Sequence, residues 1–178
     1  EQKLQAKARL DFDDGMALYR STDLFTVGRL ARQAAEAKNG NACYYSINRH
    51  IHYTNVCSNG CRFCGFSRTA GAGDGYVLTA EEVAAQAEEA WGGGATEVHI
   101  VGGINPDLPF GYYLEMVGKI RQRCPGIHVK AFTATEIQSM AERAGKTVAD
   151  VLSRLREGGL GSMPGGGAEI LSEGYFRE

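Results

Sequence analysis

The sequence has no surplus of basic charge: 19 Lys and Arg stand against 21 Asp and Glu, a formal net charge of −2. A chain that binds nucleic acid in bulk neutralises phosphates with an excess of cations, so that class is set aside. There is no apolar run near the ~18 residues that a membrane span needs. The first residues, Glu1-Gln2-Lys3, carry no signal-peptide core. The expectation is a cytoplasmic protein. Low-complexity tracts and short internal repeats are also missing. The five cysteines are odd in number, and without a secretory signal they do not read as a disulfide framework. What remains, 178 residues with 43% hydrophobic and 22% charged, suits one soluble globular domain.

Glycine is abundant instead, 24 of 178 residues, nearly twice the usual ~7%. The glycines gather at the ends of apolar segments, where a backbone turns tightly or approaches a ligand. Residues 1–42 read as a helical segment: Leu24, Val27, Leu30, Ala31, Ala34 and Ala35 recur at helical spacing, Thr22 or Ser21 is the expected cap, and Asn39-Gly40 the stop. Residues 43–178 form the second part. An aromatic and β-branched stretch from Cys43-Tyr44-Tyr45 through Thr54 reads as strand, and a cysteine loop follows at once. Strand and helix then alternate. Helices are expected from a Thr79 cap to Trp91, over 110–124, 135–144 and 147–157, with strands at 97–101, 127–132 and 160–163.

Four βα units imply a parallel sheet covered by helices. A closed (β/α)8 barrel takes ~250 residues, so the expectation is the first half of such a barrel, with a small open sheet as the other reading. Apolar sheet edge left exposed by a half barrel would favour self-association. A parallel strand buried on both faces reads as nearly all apolar, yet here one face of each strand is polar. His50, His52 and Thr54 share a face of the first strand, Glu97 and His99 of the second, His128 and Lys130 of the third. All four histidines lie on those faces, which points to a polar interior and a site.

Cys57-Ser58-Asn59-Gly60-Cys61-Arg62-Phe63-Cys64 has the spacing C-x3-C-x2-C. Three thiolates on one short loop can bind three irons of a cubane cluster and leave the fourth iron open, whereas ordinary electron-transfer clusters use four cysteines. The other reading is a zinc site that staples a binding module, with His50 or His52 as fourth ligand; no second cysteine knuckle accompanies it.

This motif, with an aromatic before its last cysteine and a βα series behind it, resembles the radical S-adenosylmethionine (SAM) superfamily, a resemblance running from about Asp11 to the end of the chain. Tyr45-Ser46-Ile47-Asn48-Arg49-His50-Ile51, Val101-Gly102-Gly103-Ile104-Asn105-Pro106, Lys130-Ala131-Phe132-Thr133-Ala134-Thr135-Glu136-Ile137 and Met163-Pro164-Gly165-Gly166-Gly167-Ala168-Glu169-Ile170 are similar to its branch of futalosine-pathway menaquinone and deazaflavin enzymes. The stretch 130–137 is most like the aminofutalosine synthases.

The resemblance implies an α/β fold, the N-terminal part of a TIM-type barrel. It also implies a [4Fe–4S] cluster on Cys57, Cys61 and Cys64, with SAM as co-substrate on the open iron. Phe63 would lie near the adenine, the Gly102-Gly103 backbone would meet the methionine amino group, and Glu136 would be a partner for ribose or substrate. The substrate implied is an aromatic enolpyruvyl ether dicarboxylate, for which Arg49, Lys130 and, least, Arg68 are candidate cations. An electron donor such as flavodoxin or ferredoxin is implied as partner. Read without the family, Phe63 packs the loop, Gly102-Gly103 is a turn, and Glu136 is a carboxylate at the positive end of a helix. Gly165-Gly166-Gly167 reads as an anion nest or a turn.

Overall fold

The computed structural model describes residues 2–61 and 64–166. The chain separates into two compact units, Glu1–Tyr45 and Ser46–Glu178. The first holds three helices, α1 (Gln2–Gln5), α2 (Phe12–Arg20) and α3 (Leu24–Asn39). Helix α3 is capped by Asp23, whose side chain accepts the Thr26 N–H, and not by Ser21 or Thr22. It stops at Gly40, at φ 59°. Only Leu30 is buried within the helices of this unit.

The second unit alternates strand and helix: β1 (Asn48–Ile51), α4 (Ala80–Gly92), β2 (Glu97–Ile100), α5 (Phe110–Arg123), β3 (His128–Ala131), α6 (Ala134–Ala144) and α7 (Val148–Gly158). The three strands pair in parallel in the order β1-β2-β3. Capping boxes set the helix starts: Thr79 with Glu82 at α4, Thr133 with Glu136 at α6, and Thr147 with Asp150 at α7. Cys124 closes α5 as its C-cap.

Two expected strands are corrected. β1 starts at Asn48 and not at Cys43, because its ladder partner on β2 starts at Glu97, opposite Asn48. Tyr44 and Tyr45 are exposed and belong to no strand. The strand expected over 160–163 is reduced to a single parallel bridge from Ser162 to Lys130. The described sheet therefore has three strands plus the start of a fourth position.

The register separates the two faces. Ile51, Val98, Ile100, Val129 and Ala131 are buried in one core with Val83 and Ala87 of α4, Met116, Val117 and Ile120 of α5, and Val151 and Leu155 of α7. Each fully buried aliphatic contributes roughly 1.5–3 kcal/mol, and this helix-covered face holds the unit together. The other face is the polar one expected: His50, His99 and Lys130 are register partners across the three strands. Among the described residues no helix is long and apolar enough to cross a membrane.

Candidate functional site

The chain leaves each parallel strand at the same end of the sheet, where α/β folds assemble their sites. Three segments meet there: residues 52–61 and 64–68 after β1, 101–106 after β2, and 132–136 after β3. The first is braced by buried polar side chains. Thr54 and Asn55 are almost fully buried, and Asn105 is buried beside them. The Thr54 hydroxyl donates to the Tyr76 carbonyl at 2.7 Å and accepts from Asn105 Nδ2 at 3.3 Å. Asn55 accepts the Tyr76 N–H at 2.8 Å and donates to the Asp74 carbonyl at 2.9 Å. Sequence reasoning placed Thr54 on the polar face of the first strand, but β1 ends at Ile51 and Thr54 is buried in this brace. It passed over Asn55 and Asn105, for which polar residues beside the cysteine motif and the glycine pair were the available signal.

The base of the cysteine loop is closed by backbone bonds, Cys57 N–H to the Arg68 carbonyl and Arg68 N–H to the Asn55 carbonyl. The Arg68 guanidinium pairs with Asp74 at 2.6 Å and donates to the carbonyls of Gly65, Phe66 and Ser67. Through Nε and Nη1 it clasps the loop. Cys57, Cys61 and Cys64 are free thiols. Cys57 Sγ accepts the N–H groups of Asn59 at 3.5 Å and Ile104 at 3.3 Å, and Cys61 Sγ accepts Asn59 Nδ2 at 3.1 Å. The backbone N–H groups of Ser67 and Phe66 hold the Cys64 thiol below its ordinary pKa. Donors aimed at sulfur favour thiolate, the form that ligates metal. Phe63 and Gly167 lie outside the described residues.

Gly102 and Gly103 are glycines for want of space, not to make a turn. A Cβ on Gly102 would sit 2.6 Å from the Tyr53 ring, and one on Gly103 would sit 2.2 Å from the Val56 carbonyl oxygen. The N–H groups of 102, 103 and 104 are all engaged, by Glu136, the Thr54 carbonyl and Cys57 Sγ. The Gly102 and Gly103 carbonyls accept no hydrogen bond from the described residues. They are acceptors suited to an ammonium group.

Glu136 is 4% exposed, and its carboxylate accepts four hydrogen bonds. Burial pushes its pKa up against the pull of those donors. Burial likewise drives the Tyr53 phenol well above its usual value, with the Glu136 charge adding to it. Both oxygens of Glu136 are thus committed to protein groups.

On the polar face, Lys130 Nζ pairs with Glu97 at 3.2 Å. The His50 and His99 rings lie 4.5 Å apart. Burial, then the neighbouring His50 and Lys130, hold His99 below the ordinary imidazole pKa. His52 donates its Nδ1–H to the Val101 carbonyl, and His128 meets the Ser162 hydroxyl at 2.7 Å. Arg49 is not brought to this group: it is exposed, its register partners are Val98 and Val129, and strand alternation puts it on the opposite face.

A mononuclear zinc centre needs its ligands converging on one ion. Among the described residues no three His, Cys, Asp or Glu side chains, the three cysteines of the loop included, converge on one point. A cubane takes one thiolate per iron, and three free thiols on one clasped loop, each reached by N–H donors, fit that demand. The family model for the radical SAM superfamily matches residues 51–173. The chain belongs to the radical SAM superfamily. Members of this superfamily use a [4Fe–4S] cluster and SAM.

The chain is 41% identical to the aminodeoxyfutalosine synthase of Streptomyces coelicolor, over 96% of this chain and 44% of that protein. It is 40% identical to the aminodeoxyfutalosine synthase of Thermus thermophilus, over 99% of this chain and 48% of that protein. An FO synthase of Nocardia farcinica is 44% identical over 85% of this chain and 18% of its own length. The chain thus spans about half the length of the two aminodeoxyfutalosine synthases. A solved structure of a maturase of the [FeFe]-hydrogenase superposes with a TM-score of 0.64 at 18% identity, covering 92% of this chain and 44% of that one. That likeness shows the fold, the partial barrel expected of the superfamily.

Proposed function

We propose that the protein is a radical SAM enzyme of the aminodeoxyfutalosine synthase type, adding a 5′-deoxyadenosyl group to 3-[(1-carboxyvinyl)oxy]benzoate with loss of the carboxyl carbon. The observation that carries the reading is the joining of the cysteine loop to the glycine pair by the Ile104 N–H on Cys57 Sγ. The identity to the two synthases over nearly the whole chain supports the particular branch.

When bound, the reduced cluster supplies one electron that splits SAM into methionine and a carbon radical. The residues of this chain do the rest by position. Cys57, Cys61 and Cys64 would hold three irons. The Gly102 and Gly103 carbonyls would accept from the methionine ammonium. The row His50, His99 and Lys130 would face the carboxylates of the substrate, in place of Arg49, which lies on the opposite face, and Arg68, which clasps the cysteine loop. A small redox protein such as flavodoxin or ferredoxin would deliver the electron.

The FO synthase match supports a second reading within the same superfamily, a subunit of a deazaflavin-forming enzyme; a cyclic dehypoxanthine futalosine synthase is a further relative and supports the cyclase of the same branch as an alternative. The first test is the electron paramagnetic resonance spectrum of anaerobically reconstituted, reduced protein with and without SAM. A [4Fe–4S]+ signal that changes with SAM is expected. Methionine release with each candidate substrate then separates the readings, and 3-[(1-carboxyvinyl)oxy]benzoate is expected to drive it. A spectrum silent in iron, with stoichiometric zinc, overturns the proposal and leaves a zinc-stapled module.

A further inference from the structure

Three helices in the second unit begin with the same device, a Thr whose hydroxyl caps the helix and a carboxylate three residues on that reaches back. At α4 and α7 one carboxylate oxygen does all of this: Glu82 Oε2 accepts the N–H and hydroxyl of Thr79, and Asp150 Oδ2 those of Thr147. Both carboxylates lie at the surface, the other oxygen left at a solvent-exposed position. At α6 the same geometry uses Glu136 Oε2, which accepts the Thr133 N–H and hydroxyl, each at 2.7 Å. Here the second oxygen is buried and turned to the neighbouring strands. Oε1 accepts the Tyr53 hydroxyl at 2.7 Å and the Gly102 N–H at 3.1 Å. A helix cap does not require that burial, as its two siblings demonstrate.

The local backbone is arranged to bring Glu136 there. Phe132, between β3 and the cap, is a non-glycine residue at φ 63°, a strained conformation that the packing of its ring edge-on against Tyr113 and Tyr53 sustains. Gly102 lies so close on the Tyr53 ring that no Cβ fits. Beyond it the chain is tied at each step, Gly103 N–H to the Thr54 carbonyl and Ile104 N–H to Cys57 Sγ, while the Ile104 carbonyl accepts from Ser58.

We infer that Glu136, with Tyr53, is a positioning residue that holds the Gly102-Gly103-Ile104 backbone against the cysteine loop and touches neither ribose nor substrate. The inference rests on the radical SAM reading for its functional consequence and on geometry alone for the clamp. Both oxygens accept from donors, so glutamine cannot replace the carboxylate. Whichever way its amide is turned, an NH2 group faces a backbone N–H, that of Gly102 or of Thr133.

The test uses Glu136→Gln and Tyr53→Phe, the second keeping the ring and losing only the hydroxyl. Amide hydrogen exchange over residues 102–104 of the cofactor-free protein is expected to speed up about tenfold in both, the size of one lost hydrogen bond. The α6 amides stay protected in Tyr53→Phe. In the reconstituted protein, the spectral response to SAM and the response to free methionine are both expected to need about ten times more ligand. Unchanged exchange at 102–104 in both variants overturns the clamp. Weaker SAM with unchanged methionine in Glu136→Gln, and no effect of Tyr53→Phe, makes Glu136 a direct ribose contact and also overturns it. If the unsubstituted protein does not respond to SAM, the proposed function fails, and the exchange data still decide the clamp.

Discussion

Replacing Gly103 by Ala adds one methyl group at the most crowded backbone position of the site. The new Cβ would stand 2.2 Å from the Val56 carbonyl oxygen and 2.9 Å from Cys57 Cβ. Real Cβ atoms essentially never come within 3.0 Å of another heavy atom, so the two segments must part by at least about 0.8 Å. Neither neighbour is the free end of a flexible side chain. The separation stretches the bond from Gly103 N–H to the Thr54 carbonyl, now 2.9 Å, past hydrogen-bond length. It also pulls the Ile104 N–H from Cys57 Sγ.

Overpacking costs about 1–3 kcal/mol and a stranded buried N–H about 1–3 kcal/mol. Gly103→Ala should therefore lose roughly 2–6 kcal/mol in urea unfolding, set against the ~5–15 kcal/mol of a typical domain. Because the displaced group is a cysteine of the motif, iron and sulfide per chain after reconstitution should fall with it. Gly118→Ala is the matched control: beyond its chain neighbours and the backbone of its own helix no atom lies within 4 Å of its Cβ, and the site is inside α5. There alanine should stabilise by about 0.5–1 kcal/mol. Full iron content in Gly103→Ala, with a urea midpoint equal to that of the unsubstituted protein, would refute the steric argument and return the glycine pair to an ordinary turn.

Asn59→Ala removes the Nδ2 donor from Cys61 Sγ; since hydrogen bonds to sulfur raise a cluster's reduction potential, a redox titration should find it lowered, with iron content unchanged. His99 has a depressed pKa in the folded chain, so the unfolded chain binds more protons below about pH 6.5. The His99 contribution to stability should be constant above that pH and decline as pH falls toward the folded value; across pH 7.5 to 5 the urea midpoint of His99→Gln should lack that decline when set against the unsubstituted protein. Thr79→Ala removes the cap of α4, where the hydroxyl accepts the Glu82 N–H at 3.1 Å; a loss of about 1 kcal/mol is expected, with no change in iron content.

How far the sequence could be read differs by the range of the interactions involved. Helix starts were legible where the cap is local: Thr79 sits at the predicted boundary, and the capping partner is three residues away. The polar sheet face was legible for the same reason, since alternation alone puts His50, His99 and Lys130 on one side. Alternation also assigns Arg49 to the other side; grouping it with Lys130 as a candidate cation overlooked that rule. The start of β1 was not legible. Tyr44 and Tyr45 have strand propensity, but a strand exists only where a neighbour supplies the ladder, and β2 supplies it from Glu97 onward.

Glu136 is the sharper case. In sequence it is the same object as Glu82 and Asp150, a carboxylate closing a capping box, and nothing nearby separates it from them. What separates it is Tyr53, 83 positions earlier, and Gly102, 34 positions earlier, which converge on one oxygen through the parallel order of three strands. Topology puts the residues that follow β1, β2 and β3 at one end of the sheet. A group placed there joins all three segments, so a change at Glu136 should propagate to the cysteine loop, whereas the same change at Glu82 or Asp150 should stop at its own helix. Carboxamide substitutions at the three positions, compared by iron content and by helix protection, put that difference to the test: equal effects at all three would mean that Glu136 is a cap and nothing more.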